Sequence, residues 1–405
     1  MTSRLERAVG TVVRNDNCSG CGGCALLSDR ISVSLSGEGF LRPTVAATPT
    51  PPQEDRAEAR LFNRVCPGSR LVAPADPRPR DSRTFGPYVE AWEAWATDPQ
   101  VRNAGSSAGV LTALTTWLVE SGRAPGVTGA ASDDTHPSRT VPVRITTRAE
   151  ALASSGSRYA PVGTVSRYSA QARGDALVGK PCEVSAARQL NEALGIPAEL
   201  APIRLTFFCA GTPSQRATDK LSASLGVEAD DAISLRYRGN GWPGEFTVVG
   251  SDGTVGRTSY DDSWGKHLGR DLQWRCKICP DGTGADGDVS VGDYWRADEA
   301  GYPIFEDAEG SSVVIARTRR GLALVEAAIA EGVITASPIA LEGVAAIQPL
   351  QRERRRTLLG RLLGRVSAGK KIPHFRGYGL VTLARSDTTG NIRAARGTFR
   401  RSRRA

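Results

Sequence analysis

The sequence has no long hydrophobic run in its 405 residues. Its longest apolar stretch, residues 110–118, is interrupted by threonines and is far shorter than the roughly 20 residues that span a bilayer. Residues 1–17 alternate charged side chains with single apolar ones and lack the apolar block of a secretory signal. We therefore expect a cytoplasmic protein without a transmembrane segment.

Histidine and lysine are both scarce, with three histidines and six lysines against 46 arginines. His136, His267 and His374 lie in no motif with a nucleophilic serine or cysteine, which argues against a hydrolytic triad. No nucleic-acid-binding motif is present, so we expect no nucleic-acid partner. The excess of arginine over lysine is typical of a GC-rich genome and does not by itself indicate phosphate recognition.

The positive charge is concentrated near the C-terminal end. Residues 352–404 contain 16 lysines and arginines but only two acids, whereas the rest of the chain carries a net charge of −5. Leucines interleaved with arginines over about residues 345–366 predict a basic amphipathic helix, and we expect about the last fifteen residues to be disordered. Such a helix is most often simply solvated, and binding to nucleic acid or anionic lipid is the alternative, which rests on charge alone.

The distribution of cysteine, proline and charge divides the chain into three segments. Residues 1–75 hold the first four of the eight cysteines and run into a proline-rich linker at residues 73–82. Residues 76–345 form the main segment, and residues 346–405 form the basic tail.

Within the main segment, a strand, a loop and a helix follow one another repeatedly. Residues 175–179 predict a buried strand that leads through Cys182 into a helix, and residues 203–208 lead in the same way through Cys209. This repetition predicts an α/β fold with parallel strands, and a hairpin pattern at residues 246–259 indicates either a mixed sheet or a small β insertion. Ligands of such sheets bind outside the carboxyl ends of the strands, which is where both cysteines lie.

Cys18, Cys21 and Cys24 form a C-x2-C-x2-C run in a glycine-rich loop. Thiolates at this spacing can bind three irons of one cubane, and in two-cluster ferredoxins the fourth ligand is a distant Cys-Pro, like Cys66-Pro67 here. Structural zinc sites normally use separate C-x-x-C pairs, and disulfides are rare in a reducing compartment. We therefore predict a ferredoxin-like [4Fe–4S] unit in residues 1–75, with a zinc or degenerate site as the alternative.

The other four cysteines are Cys182, Cys209, Cys276 and Cys279, and the last two form a C-x-x-C pair. Four is the number that one more [4Fe–4S] cluster requires. The spacing alone also suits zinc, or a redox dithiol beside two structural cysteines.

Six motifs follow one another along the chain. They are Cys18-Ser19-Gly20-Cys21-Gly22-Gly23-Cys24, Arg102-Asn103-Ala104-Gly105-Ser106-Ser107-Ala108-Gly109-Val110, Gly156-Ser157-Arg158-Tyr159, Gly179-Lys180-Pro181-Cys182, Phe208-Cys209-Ala210-Gly211-Thr212-Pro213-Ser214, and Cys276 to Cys279 with Ala285-Asp286 and Val291-Gly292-Asp293-Tyr294-Trp295. In this order the motifs resemble those of the beta-subunit family of coenzyme F420 hydrogenases and dehydrogenases. The resemblance covers about residues 10–300 and weakly extends to about residue 378. These iron–sulfur flavoproteins also include chlorophyllide and hydroxymethyl-chlorophyll reductases.

The resemblance implies a second [4Fe–4S] cluster on the remaining four cysteines and an FAD between the two clusters. Two positions depart from the family pattern. The family usually has Ser-Ser-Gly-Gly where this chain has Ala108 in the third place, and Thr-Pro-Cys where this chain has Lys180 in the first. The added methyl group of Ala108 and the added cation of Lys180 would alter the binding pocket without abolishing it. These departures therefore affect the expected identity of the substrate more than that of the cofactor.

Residues 105–109 form a loop of small residues before a predicted helix, where free N–H groups and the helix dipole can face a pyrophosphate. Ser106 or Ser107 could also be an ordinary cap of that helix. With the resemblance, the candidate cofactor-binding residues are Arg102, Gly105, Ser106, Ser107, Gly109, Ser157, Arg158, Tyr159, Asp286 and Asp293.

The roles expected for these residues follow from their chemistry. An arginine can bind phosphate bidentately, and Tyr159 can stack on an isoalloxazine ring. Lys180 is the candidate catalytic residue, because its cation would set the charge near the flavin or stabilise a reduced anionic form. Asp286 and Asp293 would fix cluster loops or bind cofactor hydroxyls, and turn caps are their alternative role.

A flavin with iron–sulfur clusters converts two-electron chemistry into one-electron transfer. We therefore expect an oxidoreductase that couples coenzyme F420, or another small organic redox substrate, to a ferredoxin or another redox protein. The alternative is an electron-transfer subunit of a larger oxidoreductase, with the basic tail as its docking element. A homo-oligomer is compatible with both.

Overall fold

The computed structural model describes residues 2–74, 79–295, 297–298, 304 and 309–404, so the boundary expected at residues 75–76 lies outside the described residues. The helices are α1 Arg4–Arg14, α2 Pro52–Val65, α3 Pro99–Ala104, α4 Val110–Glu120, α5 Arg148–Ala153, α6 Pro181–Ala193, α7 Gln215–Ser224, α8 Trp274–Lys277, α9 Arg319–Ala330, α10 Leu341–Ala346, α11 Pro349–Arg356, α12 Leu358–Ser367, α13 Leu380–Arg385 and α14 Thr388–Arg404. The strands are β1 Ile31–Leu35, β2 Leu41–Val45, β3 Arg70–Val72, β4 Arg80–Ser82, β5 Gly86–Tyr88, β6 Glu90–Ala96, β7 Val127–Ser132, β8 Thr140–Ile145, β9 Ala176–Gly179, β10 Ile203–Phe207, β11 Ala232–Arg236, β12 Glu245–Gly250, β13 Val255–Ser259, β14 Val289–Tyr294, β15 Ser311–Ala316, β16 Ile334–Pro338 and β17 His374–Arg376.

Among the described residues, one mixed sheet has eight strands in the order β16-β6-β15-β14-β10-β9-β7-β8. Its middle strands β14, β10, β9 and β7 run parallel. Antiparallel strands flank them, with β15, β6 and β16 on one side and β8 on the other. The predicted α/β fold with a mixed sheet is confirmed, and β9 and β10 lead into α6 and α7 as expected. The predicted hairpin belongs to a separate three-stranded sheet, β11-β12-β13, which agrees with the small β insertion rather than with a place in the large sheet.

Helices α4 and α9 pack against the large sheet. Leu114 and Leu118 of α4 share one buried cluster with Val325 of α9 and with Leu205 and Val289 of the sheet. Burying a side chain of this size contributes about 1.5–3 kcal/mol. The face of α4 that carries apolar residues in the sequence is therefore the face that holds it on the sheet.

The N-terminal segment is joined to the main segment through its cysteine loop. Helices α1 and α2 pack together, and their Leu5 and Phe62 form one apolar core with Cys18, Cys21 and the α6 residue Val184. The hairpin β1-β2 lies beside α1. The ferredoxin-like character of this segment stays a prediction.

The tail differs from the single long helix expected at about residues 345–366, because α10, α11 and α12 divide that region. Pro349 occupies the first position of α11, and a proline there cannot continue the helix before it. The strand β17 pairs in parallel with β3 of the N-terminal segment. No helix of the described ranges is long and apolar enough for a membrane crossing.

The disorder expected for the last residues is wrong, since α14 extends to Arg404 and packs along α12. Two glycines of α12 allow this close approach. A Cβ atom at Gly360 would lie 2.2 Å from the carbonyl oxygen of Asn391, and one at Gly364 would lie 2.4 Å from that of Ala395. The composition of the last residues suggested disorder because composition does not show that α12 provides a surface for α14.

Candidate functional site

Four thiols surround one cavity in the N-terminal segment. Cys18, Cys21, Cys24 and Cys66 line one small cavity that is partly open to solvent. The first three lie in a loop that turns at Gly20 and Gly22, with φ of 68° and 81°. Cys66 follows the last residue of α2. The structure therefore brings the Cys66-Pro67 pair to the C-x2-C-x2-C loop.

Glycine is required in this loop by close packing. A Cβ atom at Gly22 would lie 2.6 Å from the carbonyl oxygen of Gly163. The N–H of Gly20 donates a hydrogen bond to Sγ of Cys18, over 3.4 Å. Backbone N–H groups directed at sulfur are expected where thiolates carry negative charge.

The four thiols are strongly desolvated. Burial raises the pKa of Cys18 and raises that of Cys21 to about 11. At Cys24 and Cys66 burial again raises the pKa, and the charges of the neighbouring thiolates raise it further. Four thiolates can therefore exist together here only beside positive charge, which bound metal ions would provide.

The other four cysteines meet at the carboxyl ends of two parallel strands. Cys182 lies in the first turn of α6 after β9, and Cys209 follows β10. Cys276 lies in α8, where the N–H of Thr212 donates to its Sγ over 3.3 Å, and Cys279 follows that helix. Burial raises the pKa of Cys209 to about 12, and the charges of Cys276 and Cys279 contribute.

The two sets of cysteines are neighbours. The charge of Cys21 from the first set adds to the rise in the pKa of Cys182, which burial causes mainly. All eight thiols are free of disulfides. Within the described ranges, no group of three or more His, Cys, Asp or Glu side chains is arranged to hold a single metal ion.

Lys180 is a buried cation beside the second set. Its Nζ donates to Oε1 of Glu183 over 2.8 Å and to the carbonyl oxygen of Val162 over 2.9 Å. Burial by itself would lower the pKa of Lys180, but the charges of Glu183 and Cys182 outweigh it and raise the pKa. Lys180 is therefore charged at neutral pH and held in one position.

The serines of the small-residue loop do not cap α4. The cap is Gly109, with a φ of 71°, and a Cβ atom at Gly105 would lie 2.5 Å from its Cα. Ser107 donates its hydroxyl to the carbonyl oxygen of Ser311 over 2.7 Å. The hydroxyl of Ser106 is buried and has no hydrogen-bond partner in the described part of the chain.

A second glycine-rich loop, residues 238–244, packs against this one, and sequence reasoning did not identify it. Gly239, Asn240, Gly241 and Gly244 all have positive φ, and the N–H of Gly241 donates to the carbonyl oxygen of Asn103 over 3.0 Å. The spacing of three glycines within seven residues was the available signal.

Arg238 begins that second loop and is almost completely buried. Its Nη1 donates to Oδ2 of Asp293 over 2.6 Å, and its guanidinium packs on the rings of Trp242 and Tyr260, 4.5 Å from each centroid. Its Nη2 has no hydrogen-bond partner among the described residues. Asp293 is therefore an ion-pair partner rather than a turn cap.

Arg158 and Arg102 direct their guanidinium groups at the protein. Arg158 donates to the carbonyl oxygens of Pro137 and Arg139 over 2.9 and 2.8 Å. Arg102 donates to the carbonyl oxygen of Gly310 over 2.9 Å and forms an ion pair of 3.0 Å with Glu309. Neither group is left free to bind a phosphate bidentately in this arrangement.

Three further candidates have the following positions. Ser157 is half-buried in the loop that precedes Arg158. Tyr159 packs in an aromatic cluster, with its ring centroid 5.0 Å from that of Trp264. Asp286 accepts from Nε of Arg188 over 2.8 Å, and burial raises its pKa.

Comparison with known proteins identifies the family to which this chain belongs. Residues 91–167 match the model "Coenzyme F420 hydrogenase/dehydrogenase, beta subunit N-term", and residues 173–342 match the corresponding C-terminal model. Together the two matches cover more than half of the chain. The chain belongs to the coenzyme F420 hydrogenase/dehydrogenase beta-subunit family.

Individual relatives agree with this assignment. The chain is 26% identical to the coenzyme F420 hydrogenase subunit beta of Methanococcus voltae over 299 residues, which are 72% of this chain and 99% of the relative. Its fold is similar to that of a chain from the F420-reducing [NiFe] hydrogenase complex of Methanosarcina barkeri. That likeness has a TM-score of 0.55 and 21% identity, and it covers 74% of this chain and 99% of the other.

Proposed function

We propose that this member of the family is an iron–sulfur flavoprotein oxidoreductase that joins hydride chemistry at FAD to one-electron transfer through two [4Fe–4S] clusters. The observation that carries the proposal is the pair of buried four-cysteine sets. Cys182 of one set lies close enough to Cys21 of the other for their charges to interact. Clusters held by the two sets would be neighbours in one electron path.

The first set is suited to a cluster in three respects. Its thiols surround one cavity, a backbone N–H is directed at one sulfur, and burial makes uncompensated thiolates unfavourable. The second set has the same burial and one N–H directed at Cys276.

The two glycine-rich loops, residues 103–109 and 238–244, are the site that we propose for the flavin. Two buried polar groups there, the hydroxyl of Ser106 and Nη2 of Arg238, lack partners among the described residues, and buried groups of this kind normally have one. A hydroxyl donor and a guanidinium suit the phosphates of a dinucleotide. Asp293, at the end of β14, holds Arg238 in place.

The flavin supplies exchange between a two-electron hydride and single electrons. Lys180 provides a fixed positive charge beside Cys182, which stabilises added negative charge in that region. Arg238 does the same beside the two loops. The aromatic side chains around Tyr159 exclude water from that part of the site.

The substrate class that we propose is coenzyme F420 or another small organic redox compound linked to a ferredoxin. The alternative is an electron-transfer subunit without its own substrate. The name of the Methanococcus voltae relative, a hydrogenase subunit, favours that alternative.

Metal and flavin analysis of protein purified without oxygen tests the proposal. We expect about eight irons, eight sulfides and one FAD per chain, since each cubane contains four irons. Cys66→Ser and Cys276→Ser should each lose about four irons and keep the other cluster, so each variant is the control for the other. Zinc without flavin would overturn the proposal, and co-purification with another oxidoreductase would favour the subunit alternative.

A further inference from the structure

Four arginines line an open groove on the outer side of α1 and α2. Arg4 and Arg7 come from α1, and Arg56 and Arg60 come from α2, with Ala59 and Asn63 completing a groove of about 610 Å³. All four arginines are exposed. Among the residues that the structure describes, no acidic side chain lines this groove.

The charge of these arginines is not neutralised by the protein. None of the four forms an ion pair with another described residue. On α2, Asp55 and Glu58 already pair with Arg30, over 3.3 and 2.9 Å. The remaining acids of the two helices, Glu6 and Glu54, lie outside the groove lining. The groove is therefore a concentrated positive surface on a segment of mixed charge.

The same helix pair also contributes to the wall around the first set of cysteines. Val12 of α1 and Phe62 and Val65 of α2 line the thiol cavity, and Cys66 directly follows α2. Ala59 lines the groove and also belongs to the apolar core that contains Cys18 and Cys21. At 1.5 Å per residue, Arg60 is about 9 Å along the helix axis from Cys66.

The groove has the properties of a docking surface and not those of a small-molecule pocket. It is open and lined by long exposed side chains, whereas pockets for small ligands are enclosed and mostly apolar. The feature that favours electron transfer is Ala59, because this residue lines the groove and also belongs to the apolar core around the thiols.

We propose that this arginine groove docks an acidic one-electron carrier protein of the ferredoxin type, which exchanges electrons with a cluster held by Cys18, Cys21, Cys24 and Cys66. This inference rests on the proposed function, because it requires that cluster. A positive patch raises the rate of association with an acidic partner by long-range attraction, and salt removes the advantage.

Charge reversal in the groove tests the docking surface. The holoprotein is prepared as wild type, as Arg56→Glu/Arg60→Glu, and as the neutral Arg56→Gln/Arg60→Gln. The control is Arg319→Glu, which reverses an equally exposed arginine at the start of α9. Each protein is mixed with a reduced acidic two-cluster bacterial ferredoxin in a stopped-flow instrument, and the dissociation constant for the oxidised ferredoxin is measured by calorimetry.

At low salt, we expect the double reversal to slow the second-order reduction at least tenfold and to weaken binding by a similar factor, with a smaller effect of the neutral pair. High salt should remove most of the difference, because the Debye length falls to about 3 Å at 1 M. Arg319→Glu should change both quantities less than twofold.

Methyl viologen radical separates the two proposals. If it reduces every variant at the same rate and ferredoxin is indifferent to the arginines, the docking surface is wrong and the proposed function stands. If purified protein contains no cluster, the proposed function itself fails. Binding to phosphatidylglycerol vesicles that depends on the arginines, with unchanged ferredoxin rates, would also overturn the docking proposal.

Discussion

Arg275 donates a hydrogen bond to the carbonyl oxygen of Pro67 over 3.4 Å, and this contact joins the two sets of cysteines. Arg275 directly precedes Cys276, and Pro67 directly follows Cys66. The guanidinium of Arg275 is buried and packs on the ring of Phe375, 5.4 Å from the ring centroid. The charge of Arg275 acts against the rise in pKa that burial causes at Cys18 and at Cys279. One cation therefore acts on both sets.

If the two sets of cysteines hold clusters as proposed, removal of this charge should lower the reduction potentials of both. For Arg275→Gln we expect a decrease of roughly tens of millivolts, which corresponds to one charge acting over about 10 Å at an effective dielectric constant near 20. Arg275→Lys keeps the charge and is the control. Potentiometric titration followed by electron paramagnetic resonance measures both variants, and unchanged potentials in Arg275→Gln would contradict the assignment.

Gly22→Ala should distort the cysteine loop and prevent assembly of the cluster that we propose there. The new Cβ atom would lie 2.6 Å from the carbonyl oxygen of Gly163, and φ of 81° is unfavourable for alanine. We expect the unfolding free energy to fall by about 3 kcal/mol or more. We also expect the iron content to fall by about four irons per chain. Gly37→Ala meets no atom within 4 Å and should change neither quantity. Iron analysis and urea unfolding test this difference.

Lys180→Met should destabilise the protein by leaving the buried carboxylate of Glu183 without its cation. Removing one partner of a buried ion pair typically costs about 3–5 kcal/mol. The double variant Lys180→Met/Glu183→Gln should recover part of that loss, because the uncompensated charge is gone. Unfolding in urea, followed by circular dichroism, gives the three free energies. Equal stability of the single and double variants would show that the unpaired carboxylate of Glu183 is not the cause of the loss.

The contact between α12 and α14 predicts an unusual response to alanine in a helix. Gly→Ala normally stabilises an exposed helix position by up to about 1 kcal/mol. Gly360→Ala should instead destabilise, because its Cβ atom would lie 2.2 Å from the carbonyl oxygen of Asn391. Gly343→Ala in α10 meets no atom within 4 Å and should stabilise. Opposite signs in thermal unfolding would confirm that α14 is packed.

Local patterns were sufficient where a feature depends on neighbours along the chain. The alternation of strand, loop and helix predicted the mixed α/β sheet, because each strand and its following helix form a local unit. The spacing of Cys18, Cys21 and Cys24, followed by Cys66-Pro67, predicted one ligand set, and the structure places these thiols around one cavity. The order of six motifs was sufficient to predict the family.

Features that depend on distant segments were not accessible in this way. The pairing of Arg238 with Asp293 joins residues 55 positions apart, and the helix cap at Gly109 is selected by contact with Val101 rather than by a serine hydroxyl. The packing of α14 was missed because composition does not show that α12 and α14 meet.

The sequence by itself determined the fold class, the family and the supply of eight thiols, because period, spacing and motif order are properties of the chain alone. Only the tertiary structure decided that the two sets of thiols are neighbours, that Arg275 bridges them, and that four arginines of α1 and α2 form one groove behind the first set. These relationships depend on packing between segments, and packing energy is set by surfaces that meet only in the folded chain.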